Sequence, residues 1–295
     1  MAVTAPATEL VTSLADAYAT CIALAKSHYE NFPVASFFLP QKIRRDLYVA
    51  YAFCRHTDDL GDEAKGDRLR LLANWEQELL RVYGGQPTHP IMIALQDVVR
   101  RFEIPIEPFR KLIKANRMDQ GRVRFETHDD LVRYCEHSAV PVGQIVLYLL
   151  SDQSEESMLL SSSTCIALQL SNFWQDVSRD FAMNRVYLPR EEMAMFGVAE
   201  SDLARTAASP ALKDLLRFEV ARTQELFEKG FPLVERVHGR MKLDIALFSK
   251  GGLRVLSAIR GCDYDVLAKR PTVPAWRKIW MVLSTATRLA ILKHP

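Results

Sequence analysis

Asp58, Asp59, Asp62 and Glu63 put four carboxylates into six positions of "YAFCRHTDDLGDE", directly behind an apolar run. On a helix, Asp58 and Asp62 lie four residues apart and share a face. Asp59 points about 100° away, and Glu63 follows it. Like charges at that spacing cost roughly 0.2–0.5 kcal/mol on an exposed helix, and more against a dry interior. A chain that keeps them offers a cation site. Chance supplies roughly one D-x3-D pair at this composition, so the pair alone is more simply read as a solvated helix end.

A second group changes that balance. "LQLSNFWQDVSRDF" carries Asn172, Asp176 and Asp180, which stack at i, i+4 and i+8 along one helix side. The chance expectation for that pattern is about 0.02. The same helix is apolar before the group and beside it, at Phe173 and Trp174, and Gln169 lies one turn before Phe173. Buried polar groups need partners, and buried carboxylates need cations or protons. Two such helices face to face would form a ring of oxygen donors. Without His or Cys, that donor set suits Mg²⁺, which keeps waters and binds phosphate oxygens. Mg²⁺ around a diphosphate would make it a leaving group.

The elements that must position these residues read as nearly all helix. Apolar residues recur at three and four positions, only 12 glycines occur, and period-two alternation is scarce. Helices are expected over 8–28, 40–63, 67–83, 88–102, 106–121, 128–151, 155–181, 210–238, 241–262 and 273–293, with a longer irregular stretch at 183–201. "NFP" at 31–33, "GGQP" at 84–87, Pro105 and Pro108 punctuate the pattern. The simplest architecture is all-α, one helical domain spanning 1–295 around a central cavity.

Composition excludes several other classes. The chain has 295 residues, 48% of them hydrophobic, and a net charge of +2, so no global field points to nucleic acid. Five scattered cysteines without CxxC spacing argue against a disulfide framework or structural zinc and fit a reducing cytoplasm. The opening residues lack the basic and apolar regions of a signal peptide. No run of 18 apolar residues suggests a membrane span.

"YAFCRHTDDLGDE" together with "LQLSNFWQDVSRDFAMNRVYLP" resembles the squalene/phytoene synthase family, the head-to-head prenyl synthases. The likeness runs from "SHYENFPVAS" at 27–36 to "YDVLAKRP" at 264–271. It implies the isoprenoid synthase fold with one deep cavity. It implies Asp58 and Asp62 as one metal-binding face and Asn172, Asp176 and Asp180 as the other. Arg55 matches a family arginine expected near diphosphate. Tyr134 matches a tyrosine lining the reaction cavity, and Gln169 a glutamine one turn before the second motif. Arg185 and Tyr187 lie in the "NRVYLP" segment that closes over the diphosphate in the family.

Among members, "SHYENFPVAS", "NFWQDV" and "GCDYDVLAKRP" look most like the bacterial hydroxysqualene synthases. That resemblance implies a half-reaction. Presqualene diphosphate loses diphosphate with Mg²⁺, the cation rearranges, and water captures it, with no NADPH consumed. It also implies pathway partners, a presqualene diphosphate synthase upstream and a hydroxysqualene reductase downstream. Relatives that condense two prenyl diphosphates commonly carry Arg where this chain has Gln175, and carotenoid-type relatives carry a cavity tyrosine at the position of Gly252. Gln lacks the fixed charge of Arg, but its amide could hold a water, as could that of Gln169. Tyr51, Tyr134, Phe173 and Trp174 are candidates for a cation-stabilising wall.

Two rivals stand beside this reading. One is a condensing synthase using farnesyl or geranylgeranyl diphosphate. The other is a non-catalytic assembly protein on the same fold. His56 and His137 are expected to be structural, because neither shares its helix face with a second His or Cys. Arg122 and Arg124 are expected in a solvated loop, and "KIRRD" at 42–46 on a solvated helical turn. The basic C-terminal segment with Trp276 and Trp280 is expected as a core helix with a basic face, with peripheral contact to an anionic membrane as the alternative.

Overall fold

The computed structural model describes residues 13–27, 41–237, 241–274 and 285. Within them the chain is helical, and the only strand-like feature is an isolated parallel bridge between Val123 and Arg185. In chain order the helices are α1 (Leu14–Ser27), α2 (Gln41–Asp58), α3 (Arg68–Gly84), α4 (Pro90–Phe102), α5 (Glu107–Met118), α6 (His128–Ser138), α7 (Val140–Leu149), α8 (Glu155–Ala182), α9 (Arg190–Met195), α10 (Pro210–Gly230), α11 (Leu233–Arg236) and α12 (Met241–Gly261). The expected helix at 273–293 lies almost wholly outside the described residues, as does the segment at 28–40.

Local sequence sets several of these boundaries. Asp67, Ser154 and Ser209 accept hydrogen bonds from the first-turn amides of α3, α8 and α10, and Thr127 and Asp130 form a reciprocal cap on α6. Three expectations fail where the chain cannot continue as drawn. The helix expected at 128–151 breaks at Ala139, because Pro141 has no amide hydrogen to extend the ladder of α6. The helix expected at 210–238 ends at Gly230 for the same reason, with Pro232 following. The helix expected at 40–63 becomes a wider π-turn over Asp59–Glu63, closed by the Ala64 amide on the Asp59 carbonyl at 2.8 Å. The stretch at 183–201 is less irregular than expected, since it contains α9 and leads into a 3₁₀ turn at Glu200–Ala204.

Two apolar clusters form the core. One joins α1 to α5 with α7 and α11. The other joins α6, α8, α10 and α12 with residues 186–203. The long α8 packs against α7, α10 and α12. Trp174 is fully enclosed, and its indole donates to Thr223 Oγ1 at 2.8 Å, so it is a core anchor and not a cavity wall. Gly252 permits close helix approach. A Cβ there would meet the Phe227 ring at 2.1 Å and Leu168 Cδ2 at 3.0 Å.

Between the clusters lies an apolar cavity of about 260 Å³. Its walls come from α2 (Leu47, Tyr51, Cys54), α7 (Val142, Ile145, Val146), α8 (Ser161, Thr164, Leu168) and the start of α12 (Asp244, Ile245, Phe248). No helix among the described residues is long and apolar enough to cross a membrane.

Candidate active site

The four crowded carboxylates divide into two pairs. Arg55 takes Asp59 and Glu63, reaching Glu63 Oε1 at 2.5 Å. Asp58 and Asp62 are left to the site. Asp58 Oδ1 accepts from Asn116 Nδ2 at 3.1 Å, and Asp62 Oδ1 accepts from Arg185 Nη2 at 2.5 Å. Arg55, expected beside diphosphate, is therefore neutralising its own helix in this structure.

Helix α5 holds the π-turn in place. Asn116 enters against Gly61, where a Cβ would stand 2.3 Å from Asn116 Oδ1. Gln120 donates to the Gly61 carbonyl at 3.0 Å. Asp119, at the end of the same helix, accepts from the Tyr134 hydroxyl at 2.7 Å, and its other oxygen is buried without a partner. Burial pushes the Asp119 carboxyl up to about 6, against the Tyr134 hydrogen bond and the Arg185 charge, which lower it. Asn116, Asp119 and Gln120 were not singled out from the sequence. Their spacing on an ordinary amphipathic helix gives no signal until that helix is packed against the π-turn.

The second set lies on α8. Asn172 is exposed, while Asp176 and Asp180 are half-buried. Burial, reinforced by the Asp176 charge, pushes Asp180 up to about 7, and the Arg185 charge opposes it. Asp58 is driven up to about 6 by the surrounding protein, with the Asn116 hydrogen bond opposing and the charge of Asp62 adding to the rise. Its carboxyl remains open to solvent, as expected of a group recessed in a concavity. Arg185 ties the two sets together, for it pairs with Asp62 and its charge also acts on Asp119 and Asp180. The segment carrying it is strapped to 122–126 by the Val186 amide on the Val123 carbonyl at 3.0 Å. Arg124 completes the strap, with Nε on Glu200 at 2.8 Å and Nη1 on the Asn184 carbonyl at 2.7 Å. Arg124 is thus a nearly buried structural cation and not part of a solvated loop.

Phe173 and Tyr187 stack with ring centroids 3.6 Å apart and planes 5° apart. Tyr134 and Phe125 pack beside Tyr187 at 5.8 and 5.9 Å. This aromatic group adjoins Asp119, Asp180 and Arg185. Tyr134, expected to line the reaction cavity, is enclosed in this aromatic group, donates to Asp119 and is not among the residues lining the 260 Å³ cavity. Tyr51 does line that cavity, and burial raises its pKa. Gln169 is half-buried on α8.

Gln175 is the clearest correction. Its amide was one of two, with that of Gln169, that could hold a water. Instead Nε2 donates to the Pro271 carbonyl at 2.5 Å and Oε1 accepts from Arg270 Nη2 at 3.0 Å, within a buried setting. Arg270 also grips Asp176 through both oxygens, at 2.5 and 2.8 Å. The positive charge that relatives are expected to carry at position 175 therefore arrives here from the segment after α12. Arg270 was quoted within "YDVLAKRP", but its partner lies 94 residues away, out of reach of any local pattern.

The remaining expectations are settled more simply. His56 packs on Trp75 and His89, and His137 bonds the Arg133 carbonyl at 2.8 Å, so both are structural. Asp46 of "KIRRD" is buried and bonded to Arg101 at 2.6 and 3.1 Å, so that turn is anchored and not merely solvated. A separate group of His128, Glu192 and Glu219 brings potential ligand atoms within 4.8 Å of one another. Arg222 already supplies its cation, at 2.6 Å from Glu192 and 2.8 Å from Glu219. Burial, with a second carboxylate alongside, pushes the fully enclosed Glu219 carboxyl upward, and Arg222 opposes the rise.

The aspartate site has the opposite character. Asp58, Asp119 and Asp180 all sit above the ordinary carboxylate range; Arg185 lowers Asp119 and Asp180, and Asp58 feels only Arg55, which is already paired with Asp59 and Glu63. Such a site is short of positive charge. Its donors are oxygens only, which fits a hard divalent cation with a phosphate-bearing ligand.

Comparison with known proteins agrees with this geometry. The family model described as squalene/phytoene synthase matches residues 25–277. The phytoene synthase of Arthrospira platensis is 29% identical, with 94% of each chain covered. The 15-cis-phytoene synthase of Synechococcus elongatus is 29% identical over 95% of this chain and 96% of its own. Among solved structures, squalene synthase HpnC from Alicyclobacillus acidocaldarius superposes with a TM-score of 0.82 at 41% identity, covering 85% of this chain and 95% of that one. A dehydrosqualene synthase in complex with ligand gives a TM-score of 0.87 at 27% identity, covering 94% and 98%.

Proposed function

This chain belongs to the squalene/phytoene synthase family, enzymes acting on prenyl diphosphates, and from that premise we propose that it is a hydroxysqualene synthase. In this reading it takes presqualene diphosphate, releases diphosphate, lets the cation rearrange, and captures it with water, without NADPH. One observation carries the reading. Two carboxylate sets share Arg185 at the head of an apolar cavity. Cys54 and Asp58 lie four apart on α2, and Leu168 and Asn172 four apart on α8, so each helix face runs from cavity wall to polar head.

Asp58, Asp62, Asn172, Asp176 and Asp180 are the residues that would hold Mg²⁺. Bound there with the substrate diphosphate, the metal would stabilise the charge of the leaving group. The chain's own residues do the rest. Arg185 offers a guanidinium to diphosphate oxygens, and Arg270 and Arg55 can follow once their carboxylates turn to metal. The Phe173–Tyr187 stack, backed by the enclosed Tyr134, adjoins the head of the site, where a cation at an aromatic face would be attracted by roughly 0.5–2 kcal/mol. The apolar cavity accepts the prenyl chains and keeps out stray water.

The preference for the half-reaction over condensation rests on Gln175, an uncharged side chain at a position where condensing relatives are expected to carry Arg. Condensation remains the second reading, because Arg270 supplies a guanidinium at the place where Gln175 lacks one. The test uses purified protein, Mg²⁺ and presqualene diphosphate in heavy-oxygen water. The reading predicts a labelled alcohol and diphosphate release that stops on chelation. Unlabelled hydrocarbon as the sole product would overturn it.

A further inference from the structure

Asp244 has no part in the site described above. It lies in the first turn of α12, is 1% exposed, and has neither carboxyl oxygen hydrogen-bonded. It is also the one charged residue type among the described residues lining the 260 Å³ cavity. Its neighbours along that wall are Leu233, Met241, Ile245 and Phe248, and the facing walls bring Tyr51, Ser161 and Thr164. Burial alone pushes its pKa up to about 8, for no arginine or lysine lies close enough to lower it.

A buried carboxyl with both oxygens unpaired is destabilising, and folded proteins avoid one unless the group has a use. A leucine at 244 would suit the surrounding wall better. Among the described residues, the other enclosed acids each have an arginine. Asp46 has Arg101, and Glu219 has Arg222. The missing partner of Asp244 must come from the cavity that it lines. That cavity accepts hydrocarbon, which offers no hydrogen bonds. A water is the remaining candidate, and one needs only about 10–15 Å³.

We propose that Asp244 is the residue that holds the capturing water and receives its proton. The proposal rests on the water-capture reading above and fills the role that Gln175, with its amide spent on Pro271 and Arg270, does not. A lone pair of the water oxygen forms the C–O bond to the cationic carbon. One O–H bond of the resulting oxonium breaks, and its proton passes to Asp244 in its ionised form, which burial makes the minority form below about pH 8, so the alcohol fraction should rise as pH approaches that value. The products are the tertiary or secondary alcohol and the neutral acid, which returns its proton to solvent after product leaves. No oxidant or reductant is required. Water held at one wall adds at one carbon, so the same residue would fix where the hydroxyl is placed.

The test compares wild type with Asp244→Asn and Asp244→Leu, using presqualene diphosphate and Mg²⁺ and measuring both diphosphate release and product composition. Release should stay within about threefold, because ionisation of the substrate occurs at the aspartate faces. The ratio of alcohol to proton-loss hydrocarbon should fall at least about tenfold in both variants. Melting temperature should rise in Asp244→Leu, since an unpaired carboxyl is replaced by a side chain suited to its wall. A purely structural role would lower the melting temperature and leave the ratio alone. Alcohol from wild type with an unchanged ratio in folded variants overturns the assignment of Asp244 and leaves the reaction reading intact. No alcohol from wild type overturns both.

Discussion

Asp119 and Asp180 are shifted upward by burial, Asp58 is shifted upward by the protein crowded around it, and Asp180 reaches about 7. The consequence for stability has a definite sign. An unfolded aspartate ionises near pH 4, whereas folded Asp180 holds its proton to near pH 7. Over that window the folded state binds more protons, so stability falls as pH rises. Asp180→Asn removes this contribution. Without metal, the melting temperature of the variant relative to wild type should climb from about pH 4 to about pH 7 and then level off. A flat difference across that range would contradict the account. Asp58→Ala and Asp176→Ala should each lower turnover at least about 100-fold with the fold intact, if these oxygens bind the catalytic metal; circular dichroism and diphosphate release measure the two halves of that statement. The sequence made the two carboxylate sets legible as candidates because acids on an apolar helix are unusual. It could not reveal Asn116, Asp119 or Arg270. Their polar types are ordinary where they stand, and only packing brings them to the site.

At the scale of elements, the π-turn at Asp59–Glu63 is the feature that periodicity could not express. Its extra width separates the pair held by Arg55 from the pair left to the site, and α5 locks it through Asn116 and Gln120. Gly61→Ala would drive a methyl into Asn116 Oδ1, so the amide must turn away from Asp58. We expect a loss of about 1–3 kcal/mol in stability and a raised Mg²⁺ requirement, read by denaturant unfolding and by metal titration of activity. Asn116→Ala should raise the Mg²⁺ requirement without that packing penalty. Equal Mg²⁺ dependence in wild type and both variants would contradict the clamp. The broken helices at Ala139 and Phe231 teach a related lesson. The apolar rhythm continues through both breaks, and the prolines at 141 and 232 decide the boundaries. Gly252 is legible only in the packed structure, where Phe227 fills the space a cavity tyrosine would need.

For the whole molecule, the all-α architecture around one cavity follows from the sequence pattern, and the two-cluster core shows how α2 and α8 come to face that cavity together. A folded site short of cations should gain stability from a cation and its anion together. Mg²⁺ with inorganic diphosphate should raise the melting temperature more than either alone, by a shift corresponding to about 2.7 kcal/mol at a hundredfold excess over Kd. No shift would favour an assembly protein that has kept the fold without the chemistry. The central claim is narrower than metal binding. It is tested most directly by paired incubations with Mg²⁺ and without NADPH, one containing presqualene diphosphate and the other farnesyl diphosphate, followed by product analysis. The account predicts hydroxysqualene from the first and no reaction in the second. Presqualene diphosphate formed from farnesyl diphosphate, or no alcohol from the first incubation, would contradict it.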